Sequence, residues 1–277
     1  MSVQVVTPEL RHWIAEQAQA GVSDSAVLDA MLASGWRRSV ARGALQEEMR
    51  RTRAPQREPA AMPEPALHAA ANSILAGDRE VQVVSALRDP RIVVFGGLLD
   101  ASECDELVAL ARERLVPSQT VVMGTGGSEV NPARTSEGMF FERGENPLVA
   151  RIEARIAALL RWPVENGEGL QILRYRPGEE YKPHYDTFDP DAPGAAAILA
   201  RGGQRLASLV IYLDVPARGG ATIFPDVGLE VMPVRGSAVF FSYAGAHPDS
   251  RTLHGGAPVL EGEKWVATKW LREGRFD

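Results

Sequence analysis

His184, Asp186, His254 and Lys264 are the residues of this chain whose types and spacing suit metal-centred oxidation chemistry. His184 and Asp186 stand two apart in Tyr181-Lys182-Pro183-His184-Tyr185-Asp186. That segment follows the apolar run Gly169 to Tyr175 and an Arg176-Pro177-Gly178 turn. In extended chain, residues i and i+2 point to the same side, roughly 6–7 Å apart. His184 and Asp186 therefore converge on one ion, while Tyr185 points away. Two neutral imidazoles and one carboxylate occupy one face of an octahedron and leave three positions open, the arrangement linked to non-haem Fe(II) oxygenases. His254 supplies the second imidazole from Thr252-Leu253-His254-Gly255-Gly256, just after the strand-like run Gly236 to Tyr243. Small glycines there would let a loop backbone approach a metal closely. Lys264 opens a last strand in which period two puts Lys264, Val266, Thr268 and Trp270 on one face. A lysine sharing a face with Val and Trp needs a counter-charge if buried, and a dicarboxylate cosubstrate would supply one.

Each feature alone has an ordinary alternative. An H-x-D triplet is usually surface polarity, a distant histidine is usually structural, and a strand lysine usually points to solvent. The conjunction, in this order and at strand edges, is far more specific.

These residues need elements to position them. Strand patterns cover 169–175, 205–213, 221–224, 229–234, 237–243 and 264–271, with earlier ones at Val81–Val84 and Ile92–Phe95. Helices are expected from a Ser102 cap to about Arg114 and from Pro147 to Leu160. Many short strands joined by Gly/Pro turns predict a sandwich or barrel. Upstream, residues 1–52 read as a small helical region, with Thr7 and Ser23 as caps, Gly21 and Gly35 as helix ends and Ser39 starting a third helix. Residues 53–68 are rich in Pro, Ala and charge and read as a linker. Residues 69–277 form the remaining domain, with its core at 168–273.

Residues from about 90 to 273 closely resemble the prolyl 4-hydroxylase branch of the 2-oxoglutarate- and Fe(II)-dependent dioxygenases. The resemblance rests on Arg134 to Phe141, Leu170 to Tyr175, His184-Tyr185-Asp186, Arg205 to Leu213, Gly219-Gly220-Ala221-Thr222-Ile223-Phe224-Pro225 and His254 through Trp270. It implies an α+β fold, a double-stranded β-helix (jelly-roll) core with supporting helices. It implies that His184, Asp186 and His254 bind Fe(II) and are the catalytic centre. It implies that 2-oxoglutarate chelates the iron and pairs with Lys264, with Tyr175 and Ser208 in the same pocket, that O2 is the oxidant, and that ascorbate serves as reductant. Arg134, Ser136, Glu168, Tyr181 and Trp270 would contact a proline-containing peptide or protein, hydroxylated at C4. The glycine-rich Met123 to Ser128 would be a lid over that substrate. Asp186 itself argues for hydroxylation, since related halogenases carry Gly or Ala there. Two departures concern the substrate: Ala221, where the family often has Glu, and a longer stretch at Ala192 to Gly203, which would reshape the pocket mouth. The same chemistry on a free amino acid or natural-product peptide is the alternative. A non-catalytic metal- or peptide-binding module is the alternative from another class.

The chain has 277 residues, 45% hydrophobic and 24% charged, which suits one large or two modest globular domains. A formal net charge of −6 gives no general case for nucleic acid or an anionic membrane as partner. The basic cluster Arg37, Arg38, Arg42, Arg50, Arg51 and Arg53 reads as solvated helix face. No apolar run approaches the roughly 20 residues that span a bilayer, and the first residues lack a secretory pattern. Met123 to Ser128 lacks the Gly-Lys-Ser/Thr ending of a phosphate loop. Cys104 is the single cysteine, so no internal disulfide forms, and a bacterial cytoplasm is the expected location.

Overall fold

The computed structural model describes residues 4, 6–20, 22–53, 62–67, 72–121, 128–130, 133–243 and 250–277. The chain divides into two compact units, Met1–Ala61 and Met62–Asp277.

The first unit holds helices α1 (Pro8–Gln19), α2 (Asp24–Ala33) and α3 (Arg38–Arg53). Thr7 Oγ1 accepts the Leu10 N–H at 3.3 Å, and Ser23 Oγ accepts the Ala26 N–H at 3.3 Å, so both caps act as their residue types predict. Gly35 leaves α2 with φ +86°, where a Cβ would be strained. The third helix begins at Arg38, one residue before the expected start, because the Gln4 side chain reaches in to accept the Arg37 N–H. Ile14, Val27, Met31, Ala41 and Leu45 form the buried core of the unit. Gly21, expected to end the first helix, lies outside the described residues.

The second unit starts earlier than its composition implies. Residues 62–67, read as linker, pack onto it. Pro63 and Pro65 are buried, the Glu64 N–H donates to Leu160 O at 2.9 Å, and Arg91 forks onto the Glu64 carboxylate. Strands β1 (Ser73–Ala76), β2 (Arg79–Leu87) and β3 (Ile92–Gly96) follow, then helix α4 (Ala101–Arg112). The cap of α4 is Asp100 rather than Ser102. Its carboxylate accepts the Glu103 N–H at 2.9 Å while Glu103 reaches back to the Asp100 N–H at 3.1 Å, a reciprocal pair that Ser102 could not make with its own third residue, Asp105. Next come β4 (Val116–Pro117), β5 (Gln119–Val121), β6 (Ser128–Val130), β7 (Glu137–Phe141) and helix α5 (Pro147–Leu160), capped by Asn146 with Pro147 in its first turn.

The remaining elements carry the expected site. They are β8 (Leu170–Tyr175), β9 (Tyr181–His184), the short helix α6 (Ala195–Leu199), β10 (Arg205–Asp214), β11 (Arg218–Gly219), β12 (Thr222–Phe224), β13 (Leu229–Val231), β14 (Ala238–Ser242), β15 (His254–Gly256), β16 (Val259–Glu261) and β17 (Lys264–Arg272). Among the described residues, a major sheet runs β1-β2-β3-β14-β10-β17-β8-β7-β4 and a minor sheet runs β13-β12-β15-β9, all antiparallel. This is the jelly-roll core with supporting helices.

Period two decides what each face of the major sheet does. On β10, Leu209, Ile211 and Leu213 join the core shared with α4 and α5, whereas Val210 and Tyr212 belong to the cluster between the two sheets. On β17, all nine residues are buried. Trp265, Ala267 and Leu271 face the helices, while Lys264, Val266, Thr268 and Trp270 line a pocket between the sheets. No helix among the described residues is long and apolar enough to cross a membrane.

Candidate active site

Strand pairing brings the two histidines together. In the β9–β15 ladder His254 stands directly opposite His184, so residues 70 positions apart in sequence become cross-strand neighbours with ring centroids 4.4 Å apart. Gly255 makes the ladder possible: a Cβ there would come within 2.8 Å of Tyr181 O and 3.1 Å of Pro183 N. The glycine therefore serves strand-to-strand approach, rather than the backbone-to-metal approach expected of it.

Asp186 completes the cluster. Its Oδ1 lies 3.5 Å from His184 Nε2 and its Oδ2 lies 3.4 Å from His254 Nε2. One ligand atom from each residue fits within 4.8 Å of the others. His184 Nδ1 faces Lys182 O at 2.9 Å, and His254 Nδ1 faces Thr252 O at 3.0 Å. A carbonyl only accepts, so Nδ1 carries a ring proton in both, and both Nε2 atoms face into the cluster. Burial pushes His184 down, as does the facing His254, against the pull of Asp186. Burial works to raise the Asp186 carboxyl, but His254 and His184 outweigh it and hold it well below the usual carboxylate range. With both imidazoles deprotonated at Nε2, two histidines beside an ionised carboxylate are the donor set a divalent first-row metal requires.

A pocket between the sheets runs from this cluster to Lys264, past Tyr175 and Thr268. Lys264 is 4% exposed. Burial pushes its ammonium down from 10.5 to about 8, and among the described residues no carboxylate offsets that. Its Nζ lies 5.7 Å from the ring centroids of both Tyr175 and Tyr212. A buried cation flanked by aromatic faces and opening toward a metal cluster fits an acid whose far carboxylate reaches it. Ser208 does not line this pocket. It lies one layer back, where its Oγ donates to Asp186 Oδ2 at 2.5 Å.

A larger cavity of about 650 Å³ opens on the other side of His184 and Asp186. Of the residues expected to touch substrate, Arg134, Tyr181 and Trp270 line it. Tyr181 stacks on the His184 ring with centroids 3.7 Å apart, Arg134 lies over Tyr181 at 4.8 Å, and Trp270 Nε1 donates to Asp186 Oδ2 at 2.8 Å. Ser136 and Glu168 do not line it. Ser136 is buried and donates to Ser118 Oγ at 2.9 Å, and Ser118 forms the wall instead. Glu168 is locked between two arginines, accepting from Arg205 Nε at 2.6 Å and Arg272 Nε at 2.7 Å. Nor does the 192–203 stretch reach the cavity: Thr187 and Phe188 form that side, with Phe188 held by Gln204 through its N–H (2.9 Å) and carbonyl (2.7 Å). Of the glycine-rich stretch Met123 to Ser128, expected as a lid, residues 123–127 lie outside the described residues and Ser128 opens β6.

Arg205 is the wall residue that sequence reasoning missed. Strict alternation groups it with Ala207 and Leu209, facing the helices. A register shift between Arg205 and Ala207 turns it to the inner face opposite Arg272. There its guanidinium lies 4.0 Å from the Trp270 ring centroid and 4.8 Å from that of Phe188. The only sequence signal was an arginine at the head of an apolar strand.

Residues 170–272 match the model of the 2OG-Fe(II) oxygenase superfamily. The chain is 39% identical over 211 residues to prolyl 4-hydroxylase 2 of Arabidopsis thaliana, covering 68% of this chain and 69% of that protein. To prolyl 4-hydroxylase 1 of the same plant it is 41% identical over 214 residues, covering 71% and 73%. Among solved structures it is similar to the viral collagen prolyl hydroxylase of Paramecium bursaria Chlorella virus-1 in its 2OG complex, with 30% identity, 65% of this chain and 95% of that one covered, and a TM-score of 0.51.

Proposed function

We propose that this chain, which belongs to the prolyl 4-hydroxylase branch of the 2-oxoglutarate- and Fe(II)-dependent oxygenases, hydroxylates C4 of proline within a peptide or protein. The observation that carries the reading is one composite site: a His-Asp-His cluster with the buried Lys264, faced by no carboxylate among the described residues, on one side and an aromatic cavity on the other. Fe(II) with 2-oxoglutarate supplies the oxidising power, one atom of O2 entering the C–H bond and the other the succinate formed with carbon dioxide. The protein positions and protects. His184, Asp186 and His254 hold the metal. Lys264 pairs with the far carboxylate of the cosubstrate, and Tyr175 packs beside that pair.

Tyr181, Phe188 and Trp270 give the cavity an aromatic lining against which a pyrrolidine can pack, and the Arg134 and Arg205 guanidiniums give its wall positive charge for peptide carbonyls. Ascorbate as reductant and a reducing cytoplasm complete the reading. The latter is supported by the single cysteine, Cys104, which has no second cysteine with which to form an internal disulfide. The test is succinate formation after anaerobic Fe(II) reconstitution and exposure to oxygen, with and without a proline-rich peptide. Peptide-stimulated succinate with a matching one-oxygen mass gain on proline is expected. Unstimulated succinate alone would move the substrate to another class. No succinate despite bound iron would favour a binding module.

A further inference from the structure

Arginines and aromatic rings alternate from the cavity wall out to Phe276. Trp270 begins the series, its Nε1 donating to Asp186 Oδ2 at 2.8 Å. The Arg205 guanidinium lies 4.0 Å from the Trp270 ring centroid and 4.8 Å from that of Phe188. Arg272 lies 4.9 Å from Phe188 and 5.0 Å from Phe276, and Arg201 lies 4.5 Å from Phe276. Every step is inside the ~6 Å reach of a cation for a ring. Glu168 Oε1 accepts from Nε of both Arg205 (2.6 Å) and Arg272 (2.7 Å), so two guanidiniums share one oxygen. The Phe188 ring, within reach of both, offsets their repulsion. Phe276 is fixed through its main chain: its N–H donates to Glu165 O at 2.9 Å and its carbonyl accepts from Arg143 Nη1. The arginines beside it are tied down as well, Arg272 Nη1 donating to Gly203 O at 2.6 Å and Arg201 Nε to Asp277 O at 2.9 Å.

We propose that Phe276, which lines neither cavity, is a positioning residue for the substrate wall: through Arg272 it sets how Arg205 and Phe188 stand in the 650 Å³ cavity, with Arg201 closing the outer end of the series. The proposal rests on the reading of that cavity as the peptide site. Its physical basis is the shared oxygen. Without the Phe276 ring, Arg272 keeps one aromatic neighbour instead of two, and its hold on Glu168 Oε1 weakens. Oε1 then recentres on Arg205 and draws that guanidinium away from Trp270. The stretch Ala192 to Gly203 does not reach the cavity, yet it supplies Arg201 and Gly203 O to the far end of the series. It therefore acts on the substrate wall from a distance.

Phe276→Leu keeps apolar bulk and removes the ring. Two measurements on the full chain test it: the indole N–H resonance of Trp270 in 15N-tryptophan-labelled protein, assigned with Trp270→Phe, and steady-state kinetics with a proline-rich peptide. In Phe276→Leu the Trp270 resonance is expected to move while that of Trp265, on the opposite face of β17, stays; a general loosening of the strand would move both. The peptide KM should rise about fivefold, with kcat, the 2-oxoglutarate KM and peptide-independent succinate formation unchanged. Phe276→Tyr, which keeps a ring, should restore both readouts. Arg201→Gln should give a smaller change in the same direction, and it decides the question if Phe276→Leu does not fold. An unmoved Trp270 resonance in both Phe276→Leu and Arg201→Gln would overturn the series as a mechanical link. A moved resonance with an unchanged peptide KM would overturn the positioning role. A parent chain without peptide-stimulated turnover, but with a Trp270 resonance that Phe276→Leu moves, would overturn the peptide reading and keep the link.

Discussion

Burial leaves Lys264 an ammonium with no carboxylate facing it among the described residues, and its pKa of about 8 against an ordinary 10.5 has two consequences. The first concerns the cosubstrate. Pairing with a carboxylate needs the protonated form, which dominates below about pH 8 and falls about tenfold per pH unit above it. The KM for 2-oxoglutarate is therefore expected to be flat up to about pH 8 and then to rise, while Lys264→Ala raises it at least about 30-fold at neutral pH, from the ~2–5 kcal/mol typical of a truncated buried pair. A flat profile throughout, or an unchanged KM in the variant, would remove Lys264 from this role. The second concerns stability. Between about pH 8 and 10.5 the unfolded chain binds the proton and the folded chain does not, so stability rises with pH across that window. Below it the full penalty, roughly 3 kcal/mol, is present. Lys264→Met should raise the unfolding midpoint of the free protein at neutral pH and abolish the stabilisation that 2-oxoglutarate confers.

At the scale of elements, β17 carries two buried lysines whose environments differ because they lie on opposite faces. Lys264 looks between the sheets. Lys269 looks toward α5, where its Nζ donates to the Glu153 carboxylate and to Glu168 O in a fully buried setting. Lys269→Ala would strand the Glu153 charge and should cost about 3–5 kcal/mol in denaturant unfolding. Equal destabilisation by Lys264→Ala and Lys269→Ala would refute this division of faces. The α4 cap makes a smaller prediction: Asp100→Ala removes the reciprocal pair and should cost about 1–2 kcal/mol, Ser102→Ala measurably less. A greater loss from Ser102→Ala would return the cap to the serine.

On the scale of the molecule, every residue of the proposed site lies in Met62–Asp277, which has its own core. A chain lacking residues 1–61 is expected to unfold cooperatively and to keep Fe(II)- and 2-oxoglutarate-dependent succinate formation. Comparing its peptide KM with that of the whole chain then reports whether the helical unit docks substrate. Loss of succinate formation in a folded truncation would show that the helices contribute to catalysis.

By itself the sequence determined the ligand types, their order and the face each takes along its strand. Two-residue alternation is a local property, so His184 with Asp186, and Lys264 with Trp270, were readable before any strand was paired. Helix caps followed from side-chain chemistry in the same way, except where two capping residues competed, at Asp100 and Ser102. Only the tertiary structure decided what depends on register and on partners distant in the chain. It set His254 opposite His184, turned Arg205 inward through a bulge, and withdrew Glu168 from the cavity into an arginine pair. It also placed Ser208 behind Asp186, hydrogen-bonded to Tyr243, rather than in the pocket beside Lys264. The physical reason is common to all of these. A one-residue shift in pairing reverses the face of a side chain, and the partner of a buried charge is chosen by whichever strand lies opposite, which no local pattern encodes.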